Sequence, residues 1–222
     1  DPRIEILQFI LFGTVLLWFS IICAYISDLR SRISTTNREL TDAVKTIETI
    51  AIQDDLTRVY NRRHMFTELR RGKSIADRTG MPIAIVIFDL DHFKWANDAF
   101  GHQKGDQILK GLVSEIKKEL RETDIIARYG GEEFLVIMFD AGIEGAKECG
   151  ERIRKRAETV RYAGFPDTFR VTISTGITMY CHSESIDKMI HRADNALYRA
   201  KAKGRNRTEL ELPESEYVND KS

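Results

Sequence analysis

The sequence is poor in cysteine and proline, and it has no excess of charge of either sign. Its three cysteines, Cys23, Cys149 and Cys181, are an odd number without paired spacing, which argues against a disulfide framework and fits a reducing compartment. Lysine plus arginine and aspartate plus glutamate both total 34 of 222 residues, which excludes a disordered polyanion and a basic nucleic-acid arm. With 4 prolines and 14 glycines, the chain is not collagen-like either. We expect no nucleic acid among its partners.

One stretch near the N-terminus lacks charge altogether. Residues 6–26 are 21 uncharged, mostly apolar residues that would span roughly 30 Å as a helix, the thickness of a bilayer core. We predict a transmembrane helix over residues 1–27, as part of a longer membrane region; the alternatives are a buried helix of a soluble protein and a cleaved signal peptide. The flanking arginines favour a cytoplasmic location for the rest of the chain: Arg30, Arg32 and Arg38 after the stretch against Arg3 before it.

Residues 28–52 are charged, contain neither glycine nor proline, and continue the helix. Apolar residues recur every seven positions, at Ile26, Ile33, Leu40 and Ile47. The second set of heptad positions, three residues later, is less apolar at its two middle members, Thr36 and Ala43: the set is Leu29, Thr36, Ala43 and Ile50. This heptad pattern predicts a parallel two-stranded coiled coil and hence a homodimer, the alternative being an amphipathic helix packed on its own domain.

After the predicted coiled coil, which we call the stalk (residues 28–52), short apolar runs alternate with amphipathic segments. Helices are predicted over residues 61–80, 106–121, 143–161 and 186–203. Strands are predicted over 83–89, 124–129, 132–138 and 169–179, the middle two forming a hairpin around Gly130 and Gly131. This order indicates an α/β (α+β) domain over residues 53–208 with a central mixed sheet flanked by helices, followed by a mobile tail over 209–222.

Acidic residues stand where two of the predicted strands end or begin. Asp89 and Asp91 close the first strand, and Glu132 and Glu133 follow the hairpin glycines. If these strands are neighbours, Asp89 and Glu132 converge, and with a backbone carbonyl such as that of Leu90 they would form part of an Mg²⁺ site. The alternative is that these acids are ordinary turn and edge residues.

Two further polar clusters suit a nucleotide. In residues 89–106, Asn97 and Asp106 offer the amide and carboxylate that could read a guanine edge. Residues 201–207 supply lysine and arginine for a polyphosphate, although basic residues at the end of a helix also interact favourably with its dipole.

Residues 130–134 read Gly-Gly-Glu-Glu-Phe, and together with other motifs they make this sequence resemble the GGDEF family, the bacterial diguanylate cyclases, over residues 54–208. The other motifs are Asp-Asp-Leu-Thr at 54–57 with Asn-Arg-Arg at 61–63, Asp-Leu-Asp-His-Phe-Lys at 89–94 with Asn97-Asp98 and Gly101 to Asp106, and Ala-Leu-Tyr-Arg-Ala-Lys at 196–201 with Gly204 to Asn206. One position departs from the family pattern, because Arg58 stands where a glycine is usual.

The resemblance implies roles for individual residues. The metal, Mg²⁺ or Mn²⁺, would be held by Asp89, the carbonyl of Leu90 and Glu132. Lys94 would stabilise charge on the phosphate, and Glu132 or Glu133 would help to deprotonate the ribose 3′-hydroxyl. Six residues would contact the substrate GTP: Asn97 and Asp106 at guanine, Phe93 and His102 around the nucleotide, and Lys201 and Arg205 at the terminal phosphates.

The implied fold is similar to that of class III nucleotidyl cyclases. The implied activity is the condensation of two GTP into cyclic di-GMP with release of two pyrophosphates. One subunit would bind one GTP, so the reaction needs a dimer, at the inner (cytoplasmic) membrane with the catalytic domain facing the cytoplasm. The alternative, a non-catalytic receptor for cyclic di-GMP, would be expected to lack Asp89 or Glu132, and both are present.

The resemblance also implies inhibition by the product. Arg121 and Asp124 form an R-x-x-D sequence ending shortly before Gly130, with the spacing of the family's inhibitory site, and Arg152 of a neighbouring domain could supply a second arginine. An ordinary charged turn between a helix and a strand is the alternative.

Overall fold

The computed structural model describes residues 2–213, and for residues 2–10, 15 and 39–51 it describes the backbone only. The chain divides between Ala51 and Ile52 into two compact units. The first unit is helical, and the second is a sheet covered by helices on both faces.

Helix α1, Pro2–Ile52, runs without interruption through the predicted membrane segment and stalk. Its part Leu11–Arg38 contains an 18-residue window with a mean hydropathy of 1.7 and is long and apolar enough for one membrane crossing. Large apolar side chains such as Leu16, Trp18 and Phe19 are exposed there. By length and composition α1 therefore contains one candidate membrane span, while its pairing as a coiled coil stays a prediction.

The second unit is built on a mixed five-stranded sheet, which confirms the predicted fold class. Strand β1, Ile83–Leu90, lies at its centre and pairs antiparallel with strands on both sides. The strand order is β2-β3-β1-β4-β5, and only the β4–β5 pair is parallel. The remaining strands are β2 Ile125–Arg128, β3 Glu133–Phe139, β4 Ile173–Met179 and β5 Thr208–Leu210.

Helices cover both faces of this sheet, which explains why all eight residues of β1 are buried. Side chains alternate along a strand, so Ile85 and Ile87 pack with helices α2 and α6, whereas Val86 and Phe88 pack with α4 and α5. These helices are α2 Arg62–Thr79, α4 His102–Lys118, α5 Ile143–Thr159 and α6 Ile186–Ala202. The polar end of β1 leads directly out of this apolar core.

The structure corrects the prediction for the segment after β1. A short helix, α3 Phe93–Phe100, was not predicted, and α4 begins at His102 instead of residue 106. The backbone is left-handed at His92 (φ 57°) and has a positive φ of 85° at Gly101, so α3 is bracketed by two sharp changes of direction. Eight residues with several polar side chains carry too little periodicity to reveal such a helix.

Two boundaries near the C-terminus also differ from the prediction. Strand β4 begins at Ile173 instead of residue 169, because Phe169 donates its backbone N–H to the carbonyl of Pro166 and stacks on Phe165, with ring centroids 4.6 Å apart. The predicted mobile tail is wrong at its start, since β5 extends the sheet beside β4. The rest of that prediction, residues 214–222, lies outside the described residues.

Candidate active site

The hairpin between β2 and β3 brings the predicted acidic residues together. The backbone N–H groups of Tyr129 and Gly130 both donate to the carbonyl of Glu133, at 2.8 and 3.1 Å, which closes the glycine turn. Strand β3 then runs antiparallel to β1, with Glu133 directly opposite Asp89. Glu132 therefore stands beside the buried end of β1, where the sequence places Asp89.

Burial and neighbouring negative charge disfavour the ionised form of both predicted metal-binding carboxylates. Burial raises the pKa of Asp89, and the negative charges of Glu133 and Asp91 raise it further. Burial also raises the pKa of Glu132, with an added contribution from the charge of Asp89. A cation is the natural partner of such a pair because it offsets both desolvation and repulsion.

Lys201, in the last turn of α6, provides one such cation. Its ammonium lies 2.9 Å from Asp89 Oδ2 and lowers the pKa of both Asp89 and Glu132 against the effect of burial. Lys201, which is predicted to contact the terminal phosphates, lies beside the Asp89 carboxylate in this structure. A cation that binds at Asp89 would therefore compete with the Lys201 ammonium for the carboxylate.

A divalent cation fits this set of donors. Asp89, Glu132 and the carbonyl at Leu90 are hard oxygen ligands of the kind that Mg²⁺ prefers. Among the side chains that the structure describes, no three histidine, cysteine or acidic groups are arranged for a metal. An ion held at Asp89 and Glu132 would therefore depend on backbone and phosphate oxygens to complete its coordination.

The predicted guanine-binding residues meet where α3 and α4 adjoin. Asn97 of α3 lies against Gly105 of α4, where any larger side chain would collide with the Asn97 amide oxygen. Asp106 is the next residue and is exposed. The polar groups predicted to read guanine are thus neighbours, although they lie on different helices.

The remaining predicted substrate residues differ in exposure. Lys94 and His102 are exposed at the beginnings of α3 and α4, and Arg205 is exposed in a left-handed conformation (φ 63°) just beyond α6. Phe93 is only 7% exposed and packs in the core below Gly105. The structure therefore gives Phe93 a supporting place under the nucleotide segment instead of an open surface.

Comparison with known proteins agrees with this arrangement. The family model described as "Diguanylate cyclase, GGDEF domain" matches residues 51–207. The chain belongs to the GGDEF family. Its GGDEF domain is thus the second structural unit, the one that carries Asp89 and the glycine hairpin.

Several relatives show how far the similarity extends. The chain is 41% identical over 170 residues to the probable diguanylate cyclase DgcT and 37% identical over 181 residues to the diguanylate cyclase DosC, both of Escherichia coli (strain K12). These matches cover 74% and 81% of this chain but only 37% and 39% of the relatives, so the chain spans less than half of their length.

Solved structures with the same fold include the coiled coil and GGDEF domain of DgcB from Caulobacter crescentus in complex with c-di-GMP. That match has a TM-score of 0.75 and 31% identity, and it covers 82% of this chain and 99% of the other. The active GGEEF domain of a diguanylate cyclase from Vibrio cholerae matches with a TM-score of 0.64 and 32% identity, covering 68% and 96%.

Asp91 has a different place in the GGDEF domain from Asp89, although the sequence groups the two. Its carboxylate accepts hydrogen bonds from the hydroxyls of Thr172 and Ser174, both at 2.7 Å, and from the backbone N–H of Asn206 at 3.0 Å. It therefore ties the end of β1 to β4 and to the loop after α6. We assign Asp91 a structural role.

We expect Asp91→Ala to destabilise the protein by about 2–4 kcal/mol, because it leaves the buried Ser174 hydroxyl without its acceptor. The midpoint of thermal unfolding of the GGDEF domain, measured on the full chain in detergent micelles, should fall by about 5–10 °C. Asp55→Ala removes an exposed carboxylate and should leave the midpoint unchanged. An unchanged midpoint in Asp91→Ala would contradict the structural role.

Sequence reasoning missed Arg128, which links the opening motif of the GGDEF domain to the glycine hairpin. Its guanidinium donates to the carbonyl of Gly131 at 2.6 Å and to Asp54 Oδ1 at 3.1 Å. Asp54 in turn accepts from the backbone N–H and the hydroxyl of Thr57. The paired Asp54 and Thr57 of the opening motif were the available signal, but nothing in their spacing pointed to Arg128.

The predicted inhibitory residues lie at the other end of β2. Arg121 donates its backbone N–H to Asp124 Oδ2 at 2.9 Å, and Asp124 donates back to the Arg121 carbonyl, so the R-x-x-D sequence forms a closed turn. The four residues of β2 separate this turn from the hairpin by roughly 15 Å. Arg152 is held in its own domain, where it donates twice to the Glu119 carbonyl, at 2.9 and 2.8 Å.

Proposed function

We propose that this protein is a diguanylate cyclase that condenses two GTP into cyclic di-GMP and two pyrophosphates. The observation that carries the proposal is the convergence of Asp89 with Glu132 and Glu133 at the glycine hairpin, with every catalytic motif of the family present. Membership of the GGDEF family and relatives named diguanylate cyclase support it.

In this proposal the residues of one domain bind and orient one GTP. Asp106 accepts from the N1–H and amino group of guanine, Asn97 offers both a donor and an acceptor, and Lys94 and Arg205 neutralise phosphate charge. Asp89, Glu132 and the Leu90 carbonyl would hold Mg²⁺ or Mn²⁺, which when bound would stabilise the negative charge that develops on the phosphate. With a cation at this site, Lys201 would be free to turn from Asp89 to phosphate oxygens.

The chemical step joins the nucleotides of two domains. The 3′-hydroxyl of one GTP attacks the α-phosphate of the other, and pyrophosphate leaves. Glu132 or Glu133 takes the proton of that hydroxyl. Since each domain contributes one nucleotide, two domains must face each other, and the stalk over residues 28–52 would provide this homodimer.

The proposed location is the inner membrane, with the GGDEF domain in the cytoplasm. The candidate span in α1 and the arginines that follow it support this orientation. GTP is a cytoplasmic substrate, so the orientation also gives the domain access to it.

Incubation of the full chain in detergent micelles with GTP and Mg²⁺ tests the proposed activity. We expect a product with the mass of cyclic di-GMP and two pyrophosphates for each product molecule, and no product when Mg²⁺ is removed with a chelator. Binding of cyclic di-GMP without any turnover of GTP would overturn the proposal in favour of a receptor.

We further propose that the product inhibits the enzyme by binding at Arg121 and Asp124. Arginine can contact a phosphate or the Hoogsteen edge of guanine with two parallel hydrogen bonds, and aspartate can accept from guanine N1–H and its amino group. The separation of this turn from the glycine hairpin makes inhibition non-competitive with GTP.

Arg121→Ala should raise the product concentration needed for half-maximal inhibition by at least about 10-fold, the equivalent of one lost charge-assisted contact. Progress curves of GTP consumption, started with increasing amounts of added cyclic di-GMP, measure this value. The product site at Arg121 and Asp124 would be contradicted if the wild type kept its full rate at cyclic di-GMP concentrations far above micromolar. Equal inhibition of the wild type and the variant would contradict it as well.

A further inference from the structure

A cavity of about 310 Å³ adjoins the R-x-x-D turn on the side facing residues 53–60. Three basic residues line it: Arg58 from that segment, Lys117 from the end of α4, and Arg121. Two acidic residues line it as well: Glu122, and Asp124 with its carboxylate accepting from the backbone N–H of Arg121. The volume suits a base or a phosphate with its sugar.

The three basic side chains have no partner in the described part of the chain. Among the side chains that the structure describes, which leave out those of residues 2–10, 15 and 39–51, none forms a hydrogen bond or ion pair with the side-chain nitrogens of Arg58, Lys117 or Arg121. Arginines nearby behave differently: Arg152 donates to the Glu119 carbonyl, and Arg156 pairs with Glu115. The lining therefore carries three positive side chains against two negative ones, and this net positive charge would attract an anion.

The backbone at Arg58 has an unusual conformation for an arginine. Its φ is +58°, in the left-handed region that favours glycine, and glycine is the usual residue here in the family. The conformation is imposed by the turn, in which Arg58 donates to the Asp54 carbonyl at 2.9 Å and Asp54 donates to that of Val59 at 2.8 Å. An arginine is therefore conformationally unfavourable at this position, and its side chain gains no contact within the described side chains that would offset the cost. A ligand bound by the guanidinium would explain why arginine stands here.

We propose that Arg58 is a second arginine of the product site, acting within the same domain as Arg121. The inference rests on the product inhibition proposed above. The guanidinium of Arg58 would hold one phosphodiester of cyclic di-GMP with two hydrogen bonds, and Lys117 would add a point charge. Arg152 of a neighbouring domain is then not required, and in this structure it would have to give up two hydrogen bonds to Glu119 to reach a ligand elsewhere.

Equilibrium binding of cyclic di-GMP to the full chain in detergent micelles, at one fixed salt concentration, tests the role of Arg58. Arg58→Gly should raise the dissociation constant by at least about 10-fold, and Arg58→Lys, which keeps the charge but not the planar fork, by less. Glycine suits the observed φ, so the variant keeps the turn, which the midpoint of thermal unfolding verifies. The matched control is Arg161→Gly, which removes an exposed arginine outside the cavity and should bind like the wild type.

Two further variants separate this inference from the proposed inhibition on which it rests. Arg121→Ala should weaken binding strongly, and Arg152→Ala by less than about 3-fold, because Arg58 supplies the second guanidinium. If Arg121→Ala loses binding of cyclic di-GMP while Arg58→Gly binds like the wild type, the role of Arg58 is overturned and the product site stays in place. Undiminished binding in Arg121→Ala would overturn the product site itself. Equal losses in Arg152→Ala and Arg121→Ala would overturn a site contained in one domain.

Discussion

Glu132→Gln and Asp89→Asn are each expected to lower the rate of cyclic di-GMP formation by about 10³-fold or more, with the fold retained. Each substitution removes one of two negative charges that would hold the divalent cation, and groups that stabilise transition-state charge contribute about 10²–10³-fold apiece. Burial raises the pKa of both carboxylates, and negative neighbours raise it further, Glu133 and Asp91 for Asp89 and Asp89 for Glu132, so the charged pair does not stabilise the folded state. Initial rates at saturating GTP and the midpoint of thermal unfolding measure the two effects separately.

The matched control is Asp55→Asn, the same chemical change at an exposed residue, which should leave the rate unchanged. A Mg²⁺ titration adds a second readout, since a variant that lacks one carboxylate should need more Mg²⁺ to reach its residual maximum. Undiminished product formation in either active-site variant would rule out the proposed metal site.

Deletion of residues 1–51 is expected to lower specific activity by about 100-fold at micromolar protein, because two domains joined by a stalk meet at an effective concentration near millimolar. The cut falls where the chain divides into its two units, and it keeps Ile52, whose carbonyl accepts a hydrogen bond from the Asn61 backbone N–H. The specific activity of the truncated protein should rise with its concentration, as expected when two separate subunits must meet.

Fusion of a parallel leucine zipper to the truncated protein should restore activity without added protein. A second fusion, with the zipper shifted by three residues, rotates the two domains relative to each other and tests whether orientation matters as well as proximity. Activity of the truncated protein equal to that of the full chain and independent of concentration would remove the stalk from the mechanism.

Local chemistry explains the elements that were predicted correctly. The apolar run of β1 is uninterrupted because helices cover both faces of the sheet, so its sequence alone shows a buried strand. Asn61 caps α2 by accepting from the backbone N–H of His64 at 3.0 Å, and Gly80 ends that helix in a left-handed conformation. Such signals are contained in a few neighbouring residues.

Elements that depend on distant partners were missed or misjudged. Strand β5 has three residues, and it is a strand only because β4 offers a free edge beside it. Helix α3 depends on the left-handed backbone at His92. In both cases the stabilising contacts come from residues that the local sequence does not contain.

The candidate site shows the same division. The positions of the motifs along the chain predicted a metal site at Asp89 and Glu132 and a guanine-binding segment from Asn97 to Asp106. This was possible because strand ends and turns place polar groups at predictable positions. The tertiary structure alone decided that Lys201 reaches Asp89, that Asp91 turns toward Ser174, and that Arg58 shares a cavity with Arg121. These contacts join residues from separate elements, and the order of strands and the packing of helices that create them follow from the burial of the whole core.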